Sequence, residues 1–154
     1  MQVTTTWKGK RHFESVGDSG MTVNIDARRE DGGEGQGNRP MELVLMGLTG
    51  CTGIDVAMIL ERMRVPVESL HIEAKGERRD EHPKAFTEIH LTYHITGNAP
   101  VDKVWRAISL SQDKYCSASA SLSAEIIPHL VLNGETMPPG TTAASSTIEE
   151  STKL

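Results

Sequence analysis

The segment Met41–Met63 constrains this chain more than any other, because it is apolar on every side yet carries a carboxylate near its centre. Between Leu43 and Leu60 the only ionisable acid or base is Asp55, and Gly47, Gly50 and Gly53 recur at every third position. The run approaches the roughly 20 residues that span a bilayer. A carboxylate at mid-membrane, however, costs about 2.5–3.5 kcal/mol on insertion scales. The expectation is a buried helix of a water-soluble fold. Pro40 suits its first turn and Glu42 its positive dipole end, while Pro66 cannot continue it. A helix without a polar face must be covered all round. Each interior glycine costs about 1 kcal/mol relative to alanine, a cost that close approach of another helix would offset.

Around this helix the pattern is that of strands. Met21, Val23, Ile25 and Ala27 alternate with polar residues, and Gly17–Gly20 supplies turn chemistry, so Phe13–Val16 and Met21–Ala27 are expected to form a hairpin. Glu30–Asn38, with four glycines, reads as a mobile loop. Leu70, Ile72 and Ala74 mark a further strand. The clearest one places Ile89, Leu91, Tyr93 and Ile95 inward, with His90, Thr92 and His94 outward. Val101, Val104, Trp105 and Ile108 follow helical spacing behind Pro100, and a second short helix is expected from Cys116 or Ser117 through Leu122 and Ala124. Ile126–Leu132 reads as a last strand, placed at an edge by Pro128. This order predicts an α+β domain over residues 1–137, with helices on antiparallel sheet, and a Ser/Thr/Pro-containing tail over 138–154.

The full chain has 154 residues and a formal charge of −5, which argues against nucleic acid as the main partner. No basic-then-apolar leader opens it, so a cytoplasmic location away from membranes is expected. In that compartment a disulfide is usually transient and functional.

The chain has two thiols. Cys51 lies within the apolar run and Cys116 between two helical patterns, where a helix end shapes thiol chemistry. That placement suggests a peroxidatic and resolving pair. The alternative for each is an inert packing residue, since buried cysteine is common in cores. Asp55, one turn beyond Cys51, opposes its ionisation, so a cation must come from elsewhere: Arg39 at the helix start, Arg11 in the N-terminal region, or Arg28 and Arg29 beside the loop. Lys114 stands near Cys116. The six histidines suggest no metal centre by spacing, because His90 and His94 are roughly 13 Å apart along one strand. Gly32–Gly37 follows no phosphate-binding pattern. No bound cofactor or metal is expected.

Two motifs together resemble a known family. Pro40-Met41-Glu42-Leu43, followed by Leu48-Thr49-Gly50-Cys51-Thr52 and Ile54-Asp55-Val56, resembles the central-helix signature of the OsmC/Ohr superfamily, the osmotically inducible and organic hydroperoxide resistance proteins. Lys114-Tyr115-Cys116-Ser117 is similar to the second-cysteine motif of its OsmC-like branch. The similarity runs from about Thr4 to about Glu135.

The resemblance implies an intertwined homodimer with sheets around paired central helices. It also implies thiol-dependent reduction of bulky organic hydroperoxides, with an external dithiol (lipoyl or another thiol) as reductant. Cys51 would be oxidised to a sulfenic acid and Cys116 would resolve it as a disulfide. An arginine, Arg11 or Arg39, would activate Cys51, oriented by Glu42. Characterised hydroperoxide reductases carry a glutamate directly after the proline. Here Met41 holds that slot and Glu42 follows it, about 100° further round the helix. A second reading is a binding or redox-sensing dimer whose apolar pocket, near Met46 and Met58, holds a hydrophobic small molecule without turnover.

Overall fold

The computed structural model describes residues 1–139, in two compact units, Met1–Gly47 and Leu48 onward. The tail expected over 138–154 lies almost wholly outside the described residues. In the first unit β1 (Val3–Gly9), β2 (His12–Gly17) and β3 (Thr22–Ile25) form an antiparallel sheet in the order β1-β2-β3. The expected hairpin is β2–β3, pairing Phe13 with Ile25 and Val16 with Thr22.

The glycine-rich segment after β3 is tied down rather than loose. The Asp26 carboxylate accepts hydrogen bonds from the backbone N–H groups of Ala27 (2.8 Å), Glu34 (3.0 Å) and Gln36 (3.0 Å). Those N–H groups, Gln36's foremost, hold its carboxyl below the ordinary aspartate value. Its glycines serve close approach: a Cβ at Gly33 would lie 2.0 Å from the Ala27 carbonyl oxygen, and one at Gly37 2.4 Å from the Asn24 backbone. Glycine content indicated mobility in the sequence; in the fold it lets two backbones touch.

Helix α1 (Pro40–Arg62) begins in the first unit and continues into the second. There follow β4 (Ser69–Arg78), β5 (Phe86–Thr96), α2 (Val101–Leu110), a π-helical turn (Ser111–Tyr115), α3 (Ser117–Ala120), β6 (Glu125–Leu132) and β7 (Glu135–Met137). The sheet order is β4-β5-β6-β7. The alternation of β5 is as expected, with Ile89, Leu91, Tyr93 and Ile95 buried. These side chains share the core with Leu48, Val56 and Leu60 of α1, Val104 and Ile108 of α2, and Leu130 of β6.

Three details differ from the sequence reading. The second sheet is mixed: β4 runs antiparallel to β5, but β6 runs parallel to it. A parallel neighbour requires a long crossover, and α2 through α3 provide it. α3 ends at Ala120, so Leu122 and Ala124 lie outside it. A short strand, β7, pairs with Leu130–Leu132, leaving Pro128 on the part of β6 that β7 does not reach.

α1 is long and apolar enough to cross a membrane, yet its buried side is one stripe of residues four apart, Leu48, Thr52, Val56 and Leu60. Elsewhere on it, Ile54 is 64% and Met58 44% exposed. Among the described residues, one side of a helix that the sequence requires to be covered on all is buried.

Candidate active site

Within the second unit, Cys51 sits half-buried on α1, and Thr52, one residue on, belongs to the buried stripe. Asp55, one turn further, shares the face of Cys51. Cys116 comes from the far side of the crossover. The turn before it is widened, its N–H bonding to the Ser111 carbonyl five residues back (2.8 Å). The chain then breaks to an extended conformation at Cys116, which caps α3 and accepts a hydrogen bond from the Ser119 N–H (Sγ···N 3.4 Å).

These two bends bring together residues 65 apart in sequence. The sulfurs of Cys51 and Cys116 and a carboxylate oxygen of Asp55 all lie within 4.8 Å of one another. Both cysteines are free thiols. Burial pushes the Cys116 thiol above its ordinary value; Ser119 pulls it down, and the Cys51 sulfur pushes it up again. The two sulfurs and the carboxylate are also a donor set that suits a thiophilic cation.

Behind the thiols lies a polar network that the sequence reading did not identify. Thr52 Oγ1 is 2.6 Å from Tyr93 OH and 2.9 Å from Ser111 Oγ. Ser111 Oγ donates to Asp55 (3.1 Å). Gln112 Nε2 donates to both Thr52 (3.1 Å) and Tyr93 (2.8 Å), and its Oε1 accepts from Ser119 Oγ (3.1 Å). Counting hydrogens fixes every direction. Ser111 spends its one proton on Asp55, so Thr52 must donate to Ser111. Thr52 then has no proton for Tyr93, so Tyr93 must donate to Thr52. The result is one directed chain, Tyr93 to Thr52 to Ser111 to Asp55, with both protons of the Gln112 nitrogen closing it.

Thr52, Tyr93 and Ser111 are fully buried. Burial pushes the Tyr93 hydroxyl up to about 12, against the pull of its bonds with Thr52 and Gln112. One signal for this network was in the sequence: Thr52 occupies a position in an otherwise leucine and valine stripe, and a buried hydroxyl needs partners.

Arg39, Glu42 and Arg11 belong to the first unit. Arg39 and Glu42 form an ion pair just at the start of α1: Arg39 Nε donates to Glu42 Oε1 (2.9 Å), and Arg39 N donates to Glu42 Oε2 (3.1 Å). This pairing raises the Arg39 guanidinium and lowers the Glu42 carboxyl relative to their ordinary values. Arg11 lies against the glycine-rich segment, where a Cβ on Gly32 would be 3.9 Å from its Nε. Lys114 is directed over the Tyr115 ring, 5.3 Å from its centroid.

Comparison with known proteins bears on the fold and its lineage. A family model described as OsmC-like protein matches residues 33–129. The chain is 35% identical over 127 residues to protein YhfA of Escherichia coli, spanning 82% of this chain and 92% of that protein. The crystal structure of a hypothetical protein from Aquifex aeolicus superposes with a TM-score of 0.76 at 29% identity, covering 85% of this chain and 94% of the other. An organic hydroperoxide resistance protein from Legionella pneumophila shares the fold at a TM-score of 0.63 and 18% identity, over 85% and 94% of the two chains.

Proposed function

This chain belongs to the OsmC-like family, and on that premise we propose that it is a thiol-dependent peroxidase that reduces organic hydroperoxides. The observation that carries the reading is the meeting of the Cys51 and Cys116 sulfurs within 4.8 Å. The family includes organic hydroperoxide resistance proteins, and a peroxide-reducing cycle of the kind proposed uses such a pair.

In this mechanism the Cys51 thiolate attacks the terminal oxygen of the hydroperoxide. An S–O bond forms, the O–O bond breaks, and the alkoxide leaves as an alcohol after taking a proton. Cys51 is now a sulfenic acid. Cys116, losing its proton, attacks that sulfur; the S–S bond forms and the hydroxyl leaves as water. A disulfide has an S–S distance of about 2.05 Å, so the sulfurs must close further. The capping turn at Cys116 is the natural place for that movement. An external dithiol then takes the disulfide back to two thiols.

Cys116 is well suited to wait. Its raised value keeps it protonated while Cys51 reacts, and as a thiol it can donate to a Cys51 thiolate. Arg39, held by Glu42, or Arg11 would supply the positive charge that stabilises that thiolate and steers the peroxide. A homodimer fits the exposed faces. Ile54 and a shallow groove of about 420 Å³ along Gly50, Gly53, Ala57, Leu70 and Ile72 leave apolar surface for a second copy, as do Val3 and Trp7 of the first sheet, each more than 60% exposed. Reduced thiols of this kind suit the cytoplasm.

The test is consumption of cumene hydroperoxide by purified protein with excess dithiol. Cys51→Ser should abolish it, and Cys116→Ser, treated with peroxide in the absence of dithiol, should consume one equivalent and stop at a sulfenic acid with no disulfide. Equal turnover by Cys51→Ser and the parent would refute the proposal. Thiols unmoved by peroxide, with a hydrophobic molecule co-purifying, would favour the binding alternative.

A further inference from the structure

We propose that His71, Glu73 and His94 form a binding site for a divalent transition-metal ion on the outer face of the β4–β5 pair. The site uses none of the residues of the thiol centre, and its failure would leave the peroxidase reading untouched.

Register builds it. His71 on β4 pairs directly with His94 on β5, and Glu73, two residues on, faces the same way as His71. The two imidazoles are stacked with centroids 4.4 Å apart and planes within 4°. Glu73 Oε2 is 3.1 Å from His94 Nε2, and one ligand atom from each of the three residues lies within 4.8 Å of the others. Spacing along one strand could not reveal this, since the imidazoles come from neighbouring strands.

The chemistry of the three groups points to a metal. A neutral imidazole presents one ring nitrogen with a free lone pair, the form in which histidine binds metals. Two histidines and one carboxylate are a familiar zinc ligand set that leaves a position for water. Ligands about 2.1 Å from a tetrahedral ion lie about 3.4 Å apart. The ligand atoms, up to 4.8 Å apart, would close by at most about 1.4 Å, and the stacked rings would turn so that their in-plane lone pairs converge. Glu73, 71% exposed and already 3.1 Å from His94, has the rotamer freedom to follow. In the neighbouring rows Ser69 and Thr96 bond to each other (2.6 Å), and the Lys75 ammonium is engaged by Glu77 (3.1 Å). Imidazole nitrogen favours zinc, nickel and copper(II) over magnesium and calcium. Such an ion would clamp β4 to β5, with exchangeable water facing solvent.

His90 and His129 on the same face provide a control. Their rings already bond to each other (Nδ1 to Nε2 2.8 Å), and His90 also contacts Glu88.

The experiment is titration of the full chain with cobalt(II), followed by absorption and calorimetry. One ion per chain is expected, with nitrogen–oxygen ligand-field bands and no sulfur-to-cobalt charge transfer. His71→Ala, His94→Ala and Glu73→Gln should each weaken binding by at least about tenfold, whereas His90→Ala should not. Absence of binding would overturn the proposal. So would a dominant sulfur charge-transfer band, which would place the ion at Cys51 and Cys116, or unchanged affinity in His71→Ala with circular dichroism intact.

Discussion

Replacing Thr52 by valine tests the buried network most directly, because the two side chains have the same shape and no cavity is made. The substitution deletes three hydrogen bonds, from Tyr93 at 2.6 Å, to Ser111 at 2.9 Å and from Gln112 at 3.1 Å. The partners suffer unequally. Ser111 keeps Asp55 as its acceptor and loses only a donor. The Tyr93 hydroxyl loses its only acceptor in the directed chain, and one Gln112 proton loses its own. An unsatisfied buried donor costs about 1–3 kcal/mol, and Gln112 is only half-buried, so its share falls near the low end. Thr52→Val should therefore destabilise the protein by about 2–4 kcal/mol in urea unfolding at fixed protein concentration. The sharper test is the pair. Thr52→Val with Tyr93→Phe removes donor and acceptor together, and should be more stable than the sum of the single losses predicts by about 1 kcal/mol or more. A Thr52→Val loss under about 0.5 kcal/mol, or strict additivity in the double variant, would refute the contribution of the Thr52–Tyr93 hydrogen bond to stability.

Tyr93 also predicts a pH dependence. Its hydroxyl is held above the ordinary tyrosine value, at about 12, so the unfolded chain releases this proton first. The associated stability is intact below about pH 10 and declines as pH rises toward 12, by about 2–3 kcal/mol for a shift of this size. Tyr93→Phe should lack that decline when unfolding is followed across the same range. If Glu42 orients an activating arginine, Glu42→Gln should slow peroxide consumption by about tenfold to a hundredfold while leaving the circular dichroism spectrum unchanged; an unaltered rate would exclude that role. Asp26→Asn should speed hydrogen exchange at the Glu34 and Gln36 amides, and the parent should show the same loosening as pH falls through the range where Asp26 becomes protonated. Unchanged exchange at both amides would mean that this carboxylate does not hold the segment.

Much of the fold was legible along the chain because its signals are local. The alternation of Ile89, Leu91, Tyr93 and Ile95 sets a strand and its inner face whatever it pairs with. Pro40 and Pro66 bracket α1, and the motifs around Cys51 and Cys116 carry the family resemblance. Patterns whose meaning depends on a neighbour were misread. The glycines after β3 indicated looseness, yet Gly33 and Gly37 press against the backbones of Ala27 and Asn24. The crossover through α2 and α3 made β6 parallel, which its residues alone do not dictate.

By itself the sequence determined a long apolar helix beside alternating strands, two thiols, and the family to which the motifs around them belong. Tertiary structure decided which groups meet. Periodicity assigns a residue to a face, but strand register and the turn at Ser111–Tyr115 set the distance between faces. Register stacks His71 on His94, and that turn carries Cys116 to Cys51 and aligns Ser111 and Gln112 with Thr52 and Tyr93. Reactivity requires contact within a few ångströms, and contact between distant residues is a property of the folded chain alone.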